Sequence, residues 1–317
     1  MGATLRSLTN LVKLWFFLSV AVVRRVIRRL LLGPTLPSWG WRTDVTVAIA
    51  RTAIEFASTV PDDPLINQFG LRVRAPVQHE LRHRVKVSRV KLGGLKTDWY
   101  LRLTDSKDLA TVLYFHGGGY VFGNPGTHRQ HIARLVDRTN TTAYVPTYRL
   151  APLDPFPAAL DDAVAAYLAL VGQGADPSDI IVAGDSAGGG LTLALLLTLR
   201  DRGIELPNGA ILFSPYTDLE HTGYTIETNA DTDYLPRSEL GHPNRFYTDA
   251  DNLLNPVVSP IHADLAGLPP MLVFAGAAEM ILAAVLTSVL LVVGGTQAVV
   301  GFIAVGLVAH GAFTKLY

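Results

Sequence analysis

The sequence predicts an α/β domain, with a mainly parallel sheet covered by helices on both faces. Three observations predict it. First, short β-rich runs recur at Thr111–Phe115, Thr142–Val145, Ile180–Ala183, Ala210–Phe213 and Met271–Ala275, and helix-length stretches such as Ala158–Val171 and Ala187–Arg202 lie between several of them. This alternation implies right-handed crossovers and a parallel sheet. Second, runs such as Ile180-Ile181-Val182-Ala183 are continuously apolar, as strands buried on both faces require. Third, the 317 residues are 49% hydrophobic and 17% charged, with a mean hydropathy of +0.28. That composition excludes disorder over most of the length and allows one large domain or two smaller ones.

The elements follow in chain order. Leu14–Val23 is a run of about ten apolar or small residues, half of the roughly 20 a spanning helix needs. Arg24, Arg25, Arg28 and Arg29 stand where a signal peptide would carry small residues for cleavage. At about 100° per residue these arginines share one arc, and Val23, Val26, Ile27 and Leu30 lie opposite. Gly33-Pro34 then stops the helix. Two readings stay open. One is an interfacial helix with its apolar side in lipid and its arginines at head groups, giving peripheral membrane contact. The other is a cap helix lying on the hydrophobic mouth of a pocket.

Pro61-Asp62-Asp63-Pro64 is expected to divide an N-terminal segment, 1–60, from the main domain, 61–317. Leu81–Leu103 reads as two strands joined near Gly93-Gly94, an antiparallel start to the sheet. The stretch from Met280 to Ala309 has no charged residue after Glu279, and Gly294-Gly295-Thr296-Gln297 interrupts it. The break predicts a helix over Ile281–Val293 and a strand over Val299–Val305, each too short to span a bilayer. A helix without a polar face is expected at a subunit interface, so a homodimer through this helix or strand is anticipated.

Charge and cysteine content narrow the function. Lys+Arg and Asp+Glu balance at 27 each, which argues against a nucleic-acid partner bound through a global positive field. No cysteine is present. Disulfides, thiolate catalysis and Cys-based metal sites are therefore excluded, and a reducing, cytoplasmic setting is expected.

The strongest chemical signal is Gly184-Asp185-Ser186-Ala187-Gly188-Gly189 between the strand at Ile180–Ala183 and an apolar helix. Strand, G-x-S-x-G and helix are the context of a nucleophile elbow. Small residues let the backbone turn tightly, so the Ser186 hydroxyl stands clear of the sheet. The helix N-terminus behind it favours developing negative charge. A phosphate-binding loop is the rival reading, but its G-K-[ST] ending is absent. Upstream, the strand Thr111–Phe115 ends at His116-Gly117-Gly118-Gly119. Consecutive glycines there allow backbone N–H donors to approach a substrate oxygen, as an oxyanion hole demands.

A nucleophilic serine needs a base, and the base needs an orienting acid. His310 follows the last predicted strand, where a loop can reach the sheet's carboxyl edge. Glu279 lies just beyond the strand Met271–Ala275 and is the only acid after Asp264. The order Ser186, Glu279, His310 is that of an α/β-hydrolase triad.

Together these motifs resemble the hormone-sensitive-lipase family of α/β-hydrolases. The resemblance also rests on Tyr148-Arg149-Leu150-Ala151-Pro152, on Pro155-Phe156-Pro157-Ala158-Ala159 and on Leu268-Pro269-Pro270, and it covers roughly residues 70–317. It implies an α/β-hydrolase fold, carboxylester hydrolysis without a cofactor or metal, and an N-terminal helical cap. It also implies an oxyanion hole from Gly118, Gly119 and Ala187. The family's acid is commonly Asp, and Glu279 stands at that position. The family's Gly-x-x-His-x-Phe ending appears as Gly306-Leu307-Val308-Ala309-His310-Gly311-Ala312-Phe313, one residue longer on each side of the histidine.

The expected chemistry is two-step acyl transfer on a small or medium apolar ester, with Tyr120, Val121 and Phe122 lining the pocket. Two rivals share the fold: a receptor-like ligand binder without catalysis, and a membrane-associated lipid or sterol-ester hydrolase.

Overall fold

The computed structural model describes residues 2–60, 77–103, 110–241, 244–295 and 300–305, with side chains described within 7–289. Its eight strands are β1 (Val85–Leu92), β2 (Leu95–Arg102), β3 (Thr111–Phe115), β4 (Thr142–Pro146), β5 (Ile180–Asp185), β6 (Gly209–Phe213), β7 (Met271–Gly276) and β8 (Val300–Val305). They form one sheet in the order β1-β2-β4-β3-β5-β6-β7-β8. The β1–β2 and β2–β4 pairs are antiparallel and every other pair is parallel. The antiparallel start expected over Leu81–Leu103 is therefore present. Its turn is Gly93-Gly94, with φ of +56° and +83°, the conformation a two-residue hairpin needs and glycine supplies.

Alternation along β3 explains how both sheet faces are covered. Leu113 and Phe115 join a cluster with helices α4 (Ala158–Gly172) and α5 (Ala187–Asp201). Val112 and Tyr114 join a second cluster with Ile132, Ala133 and Val136 of α3 (Arg129–Thr139). Successive side chains point to opposite faces, so one strand feeds two cores. Every residue of α5 from Ala187 to Leu199 is buried, which explains why this helix reads as apolar all round.

The charge-free helix, α6 (Leu282–Gly295), connects β7 to β8. It buries Ala283, Ala284, Val285 and Ser288 within this same chain. Val285 joins the main core with Met271 and Val273 of β7. A crossover helix packed on its own sheet accounts for the apolar sequence over its first two turns.

The N-terminal segment is a pair of helices, α1 (Gly2–Leu32) and α2 (Trp41–Thr59). Gly33, at φ +82°, ends α1 as the sequence predicts, with its N–H on the Arg29 carbonyl (3.0 Å). The faces of α1 depart from the cap expected over a pocket mouth, and of the arginine arc two members turn away from any head groups. Arg25 and Arg29 turn inward onto Asp44 of α2, whose side chain is 0% exposed. Arg29 also donates to the Trp39 carbonyl (2.9 Å) and lies 4.8 Å from the Trp41 ring centroid. Val23, Ile27 and Leu30, expected to be covered by lipid or by a pocket, face outward and are more than half exposed. The physical reason is the buried carboxylate. An unpaired charge in the interior costs more than aliphatic side chains left at the surface.

The helix pair is tied to the body through α2. Arg51 donates to the carbonyls of Ala230 (2.7 Å) and Asp233 (3.3 Å), and Ser58 to Glu239 (2.9 Å). Among the described residues, no helix is long and apolar enough to cross a membrane. The boundary expected at Pro61-Asp62-Asp63-Pro64 lies outside the described residues.

Candidate active site

Parallel strands place their carboxyl ends along one edge of a sheet, where α/β proteins build their sites. Here β3, β5, β6 and β7 run side by side. At or just beyond their ends stand His116–Gly119, Ser186, Ser214 and Glu279 respectively.

Ser186 occupies the turn between β5 and α5 at φ 51°, ψ −121°. This positive φ is uncommon for a residue with a Cβ and marks strain held by its surroundings. Three backbone hydrogen bonds hold it: Ser186 N–H to the Phe213 carbonyl (2.9 Å), and the Ser186 carbonyl to the amides of Gly190 (3.0 Å) and Tyr216 (2.9 Å). The flanking glycines are sterically required. A Cβ on Gly184 would stand 2.3 Å from the Gly188 carbonyl oxygen, and one on Gly188 would stand 2.0 Å from that of Phe115.

The register Phe115↔Gly184 brings the glycine loop beside this turn. Gly118 and Gly119 have φ of +133° and +60°. The Gly118 carbonyl accepts from Val121 (3.1 Å) and Phe122 (3.0 Å). A Cβ on Gly118 would meet the Phe122 carbonyl oxygen at 2.1 Å. Among the described residues, the amides of Gly118, Gly119 and Ala187 donate to no acceptor. Backbone N–H groups left open in this way are unusual, because such groups are normally paired.

Of the three residues expected to line a pocket, Phe122 is exposed and Val121 partly buried. Tyr120 is instead a core residue. Its ring stacks on Tyr247 (3.8 Å, 8°), and burial raises its hydroxyl pKa well above the ordinary value.

The loop is buttressed by the segment after β4. Tyr148 stacks on His116 (4.4 Å) and donates to its carbonyl (2.6 Å). Ala151 N–H reaches the Tyr120 carbonyl (3.0 Å), and Arg149 makes a forked pair with Asp162. Burial, reinforced by the nearby His128 charge, lowers the His116 pKa to about 4. The ring is therefore neutral, with Nδ1–H donating to the Gly117 carbonyl (2.9 Å).

A second network escaped the sequence reading. Asp185, adjacent to Ser186, accepts through Oδ1 from the Gly117 amide (3.0 Å) and the Tyr114 hydroxyl (2.9 Å). Its Oδ2 faces His128 Nε2 at 3.2 Å. Burial alone would raise the Asp185 pKa. The His128 charge and hydrogen bond, with His131 and Tyr114, hold it well below the usual carboxylate range. Burial likewise opposes a charge on His128, but Asp185 prevails and raises its pKa. Thr127 donates its hydroxyl to the Asn124 carbonyl (2.7 Å), leaving Oγ1 to accept from His128 Nδ1 (2.8 Å). Both ring nitrogens thus face acceptors, as an imidazolium requires. The motif quoted Asp185 only as a spacer, and no spacing in the chain points to His128.

Glu279 follows β7 by three residues, with its N–H on the Gly276 carbonyl (3.1 Å). Its loop is fixed from the 229–233 segment. Asn229 donates to the Glu279 carbonyl (2.9 Å), Thr232 to the Ala278 carbonyl (3.0 Å), and Met280 N–H to Asp233 (2.7 Å). Burial raises the carboxyl pKa to about 7, the Ser214 hydrogen bond opposing and the Asp233 charge adding to it. Oε2 is buried and has no hydrogen-bond partner among the described residues. Sequence order places His310 after β8; it lies outside the described residues.

Residues 112–287 match the model of a family described as having the alpha/beta hydrolase fold. The chain belongs to this alpha/beta hydrolase family. Among curated relatives, an acetyl-hydrolase of Streptomyces hygroscopicus is 40% identical over 193 residues, 61% of this chain and 64% of that protein. An esterase of Acinetobacter venetianus is 36% identical over 200 residues, 62% of this chain and 65% of that protein. The shared stretch is thus just under two thirds of each relative's length. A solved esterase from the bacterial hormone-sensitive lipase family superposes with a TM-score of 0.69 at 29% identity, covering 95% of this chain and 92% of the other. The esterase EstE5, soaked with p-nitrophenyl butyrate, gives 0.72 at 29% identity, covering 94% and 92%. These neighbours agree with the hormone-sensitive-lipase resemblance of the motifs.

Proposed function

We propose that this hydrolase cleaves carboxylic esters by acyl transfer through Ser186. The observation that carries the reading is the strained Ser186 turn beside three amides without acceptors, those of Gly118, Gly119 and Ala187. In the first step His310 takes the Ser186 proton as Oγ attacks the ester carbonyl. The three amides stabilise the oxyanion, and His310 returns the proton to the leaving alcohol. Water then repeats the sequence on the acyl-enzyme. Glu279 accepts from the imidazole and steadies its cation, a role that suits a buried carboxylate with one open oxygen.

The placement of His310 is supported by the sheet. Gly276 of β7 pairs with Val305 of β8, so both strands end at the same edge. His310 follows Val305 by five residues, and five residues reach up to about 17 Å. The name of the Streptomyces relative supports a small acyl group, and the exposed Phe122 beside the glycine loop supports an apolar one. The mechanism calls for no cofactor.

Turnover of a p-nitrophenyl ester series from acetate upward tests this directly. Hydrolysis falling with acyl length is expected. No turnover of any member by folded protein would contradict the reading and favour a receptor-like binder.

A further inference from the structure

We propose that α1 docks lengthwise on an anionic lipid surface, with Trp15, Phe16, Ile27 and Leu30 among the acyl chains and Lys13 and Arg24 at the head groups. This goes beyond ester hydrolysis and does not depend on it. The four apolar side chains, and Val12 and Val23 with them, are each more than half exposed. They recur at helical spacing along one side of a 31-residue helix. The only polar residue on that line is Ser19, and its hydroxyl is folded back onto the Trp15 carbonyl (2.8 Å). An unbroken apolar face of this length is far from what a solvated helix shows.

The face is held outward. Arg25 and Arg29 on the opposite side grip the buried Asp44, so rolling the apolar face inward would strand a buried carboxylate. The sequence-derived choice between lipid and pocket mouth is thereby narrowed, because the apolar side meets no pocket of the described chain.

Charge selects the occupant. Lys13 and Arg24 border the apolar face and are exposed, whereas Arg28 lies toward the Asp44 side and donates to Thr35 (3.1 Å). No acidic residue precedes Asp44. A second copy meeting α1 with its own α1 would bring only positive charges together, whereas anionic head groups complement them. An apolar face with flanking cations and aromatic side chains is the pattern of a helix lying in the membrane interface. Because Arg51 of α2 is bound to Ala230 and Asp233, and Asp233 holds the Met280 amide beside Glu279, docking would turn this side of the molecule toward lipid.

The test is flotation of the full chain with phosphatidylcholine vesicles, with and without phosphatidylglycerol, at low and high salt. Circular dichroism melting serves as the fold control. The unaltered chain is expected to float with phosphatidylglycerol vesicles and to lose this in high salt. W15E/L30E is expected to stay at the bottom in every condition, and K13E/R24E to lose the response to phosphatidylglycerol, both with unchanged melting. Recovery of the unaltered chain in the bottom fraction with anionic vesicles would overturn the proposal, as would equal flotation of W15E/L30E. A dimer by gel filtration that W15E/L30E converts to monomer, without flotation, would assign the face to a second copy instead.

Discussion

The Asp185 carboxylate accepts the Gly117 amide at 3.0 Å, so the residue before Ser186 ties the nucleophile's turn to the glycine loop. Gly117 precedes the open amides of Gly118 and Gly119. One carboxylate, itself held by His128 and Tyr114, therefore helps to set their position relative to Ser186, together with the Tyr148 and Ala151 contacts. Oxyanion donors act through preorganisation, and small displacements weaken them.

Asp185→Asn keeps an oxygen for Gly117 and removes the charge that His128 needs. It should lower kcat by about tenfold to a hundredfold with a smaller change in KM, read by steady-state kinetics, since the amides act on the transition state.

The same pair gives a pH dependence of stability. Asp185 is held low, so its contribution is present above the unfolded carboxylate value of about 4 and is lost as pH falls further. His128 is raised, so its contribution is present below the unfolded value of about 6.5 and is lost as pH rises through the folded one. The stability difference between the unaltered chain and Asp185→Asn should therefore be largest between about pH 4 and 6.5. Urea midpoints measured across pH check this.

Glu279 behaves oppositely. Its carboxyl pKa is raised to about 7, so ionising it in the folded protein costs stability as pH climbs from the unfolded value of about 4.3. Glu279→Gln should raise the melting temperature at pH 8 and not at pH 4. It should also lower kcat by about a hundredfold or more, as loss of a triad carboxylate does. Melting curves and kinetics on one preparation read both effects.

Gly118→Ala would place a methyl group 2.1 Å from the Phe122 carbonyl oxygen at a φ of +133°. The loop must shift, and kcat should fall by about 10²–10³-fold. Nitrophenyl butyrate turnover, with melting as a control, measures it.

The residues explain how far the sequence reaches. Strand runs, the Gly93-Gly94 hairpin and the glycines around Ser186 are legible because each follows from local backbone or burial constraints. The outward apolar face of α1 is not. Periodicity separates Arg25 and Arg29 from Val23, Ile27 and Leu30, but which side is covered depends on Asp44, which reaches them from another helix. The His128–Asp185 pair is equally silent, because strand register and the loop before α3, not spacing, bring the two together. Tyr120 shows the same limit. Its position after the glycines suggests a pocket wall, and its stacking on Tyr247 places it in the core.

Fluorophosphonate labelling with peptide mapping tests the catalytic account most directly, because only an activated serine reacts rapidly. One adduct is expected, on Ser186. It should be absent in Ser186→Ala and formed much more slowly in His310→Ala of unchanged fold. No adduct on Ser186 in the folded protein, or equal labelling of His310→Ala, would contradict it.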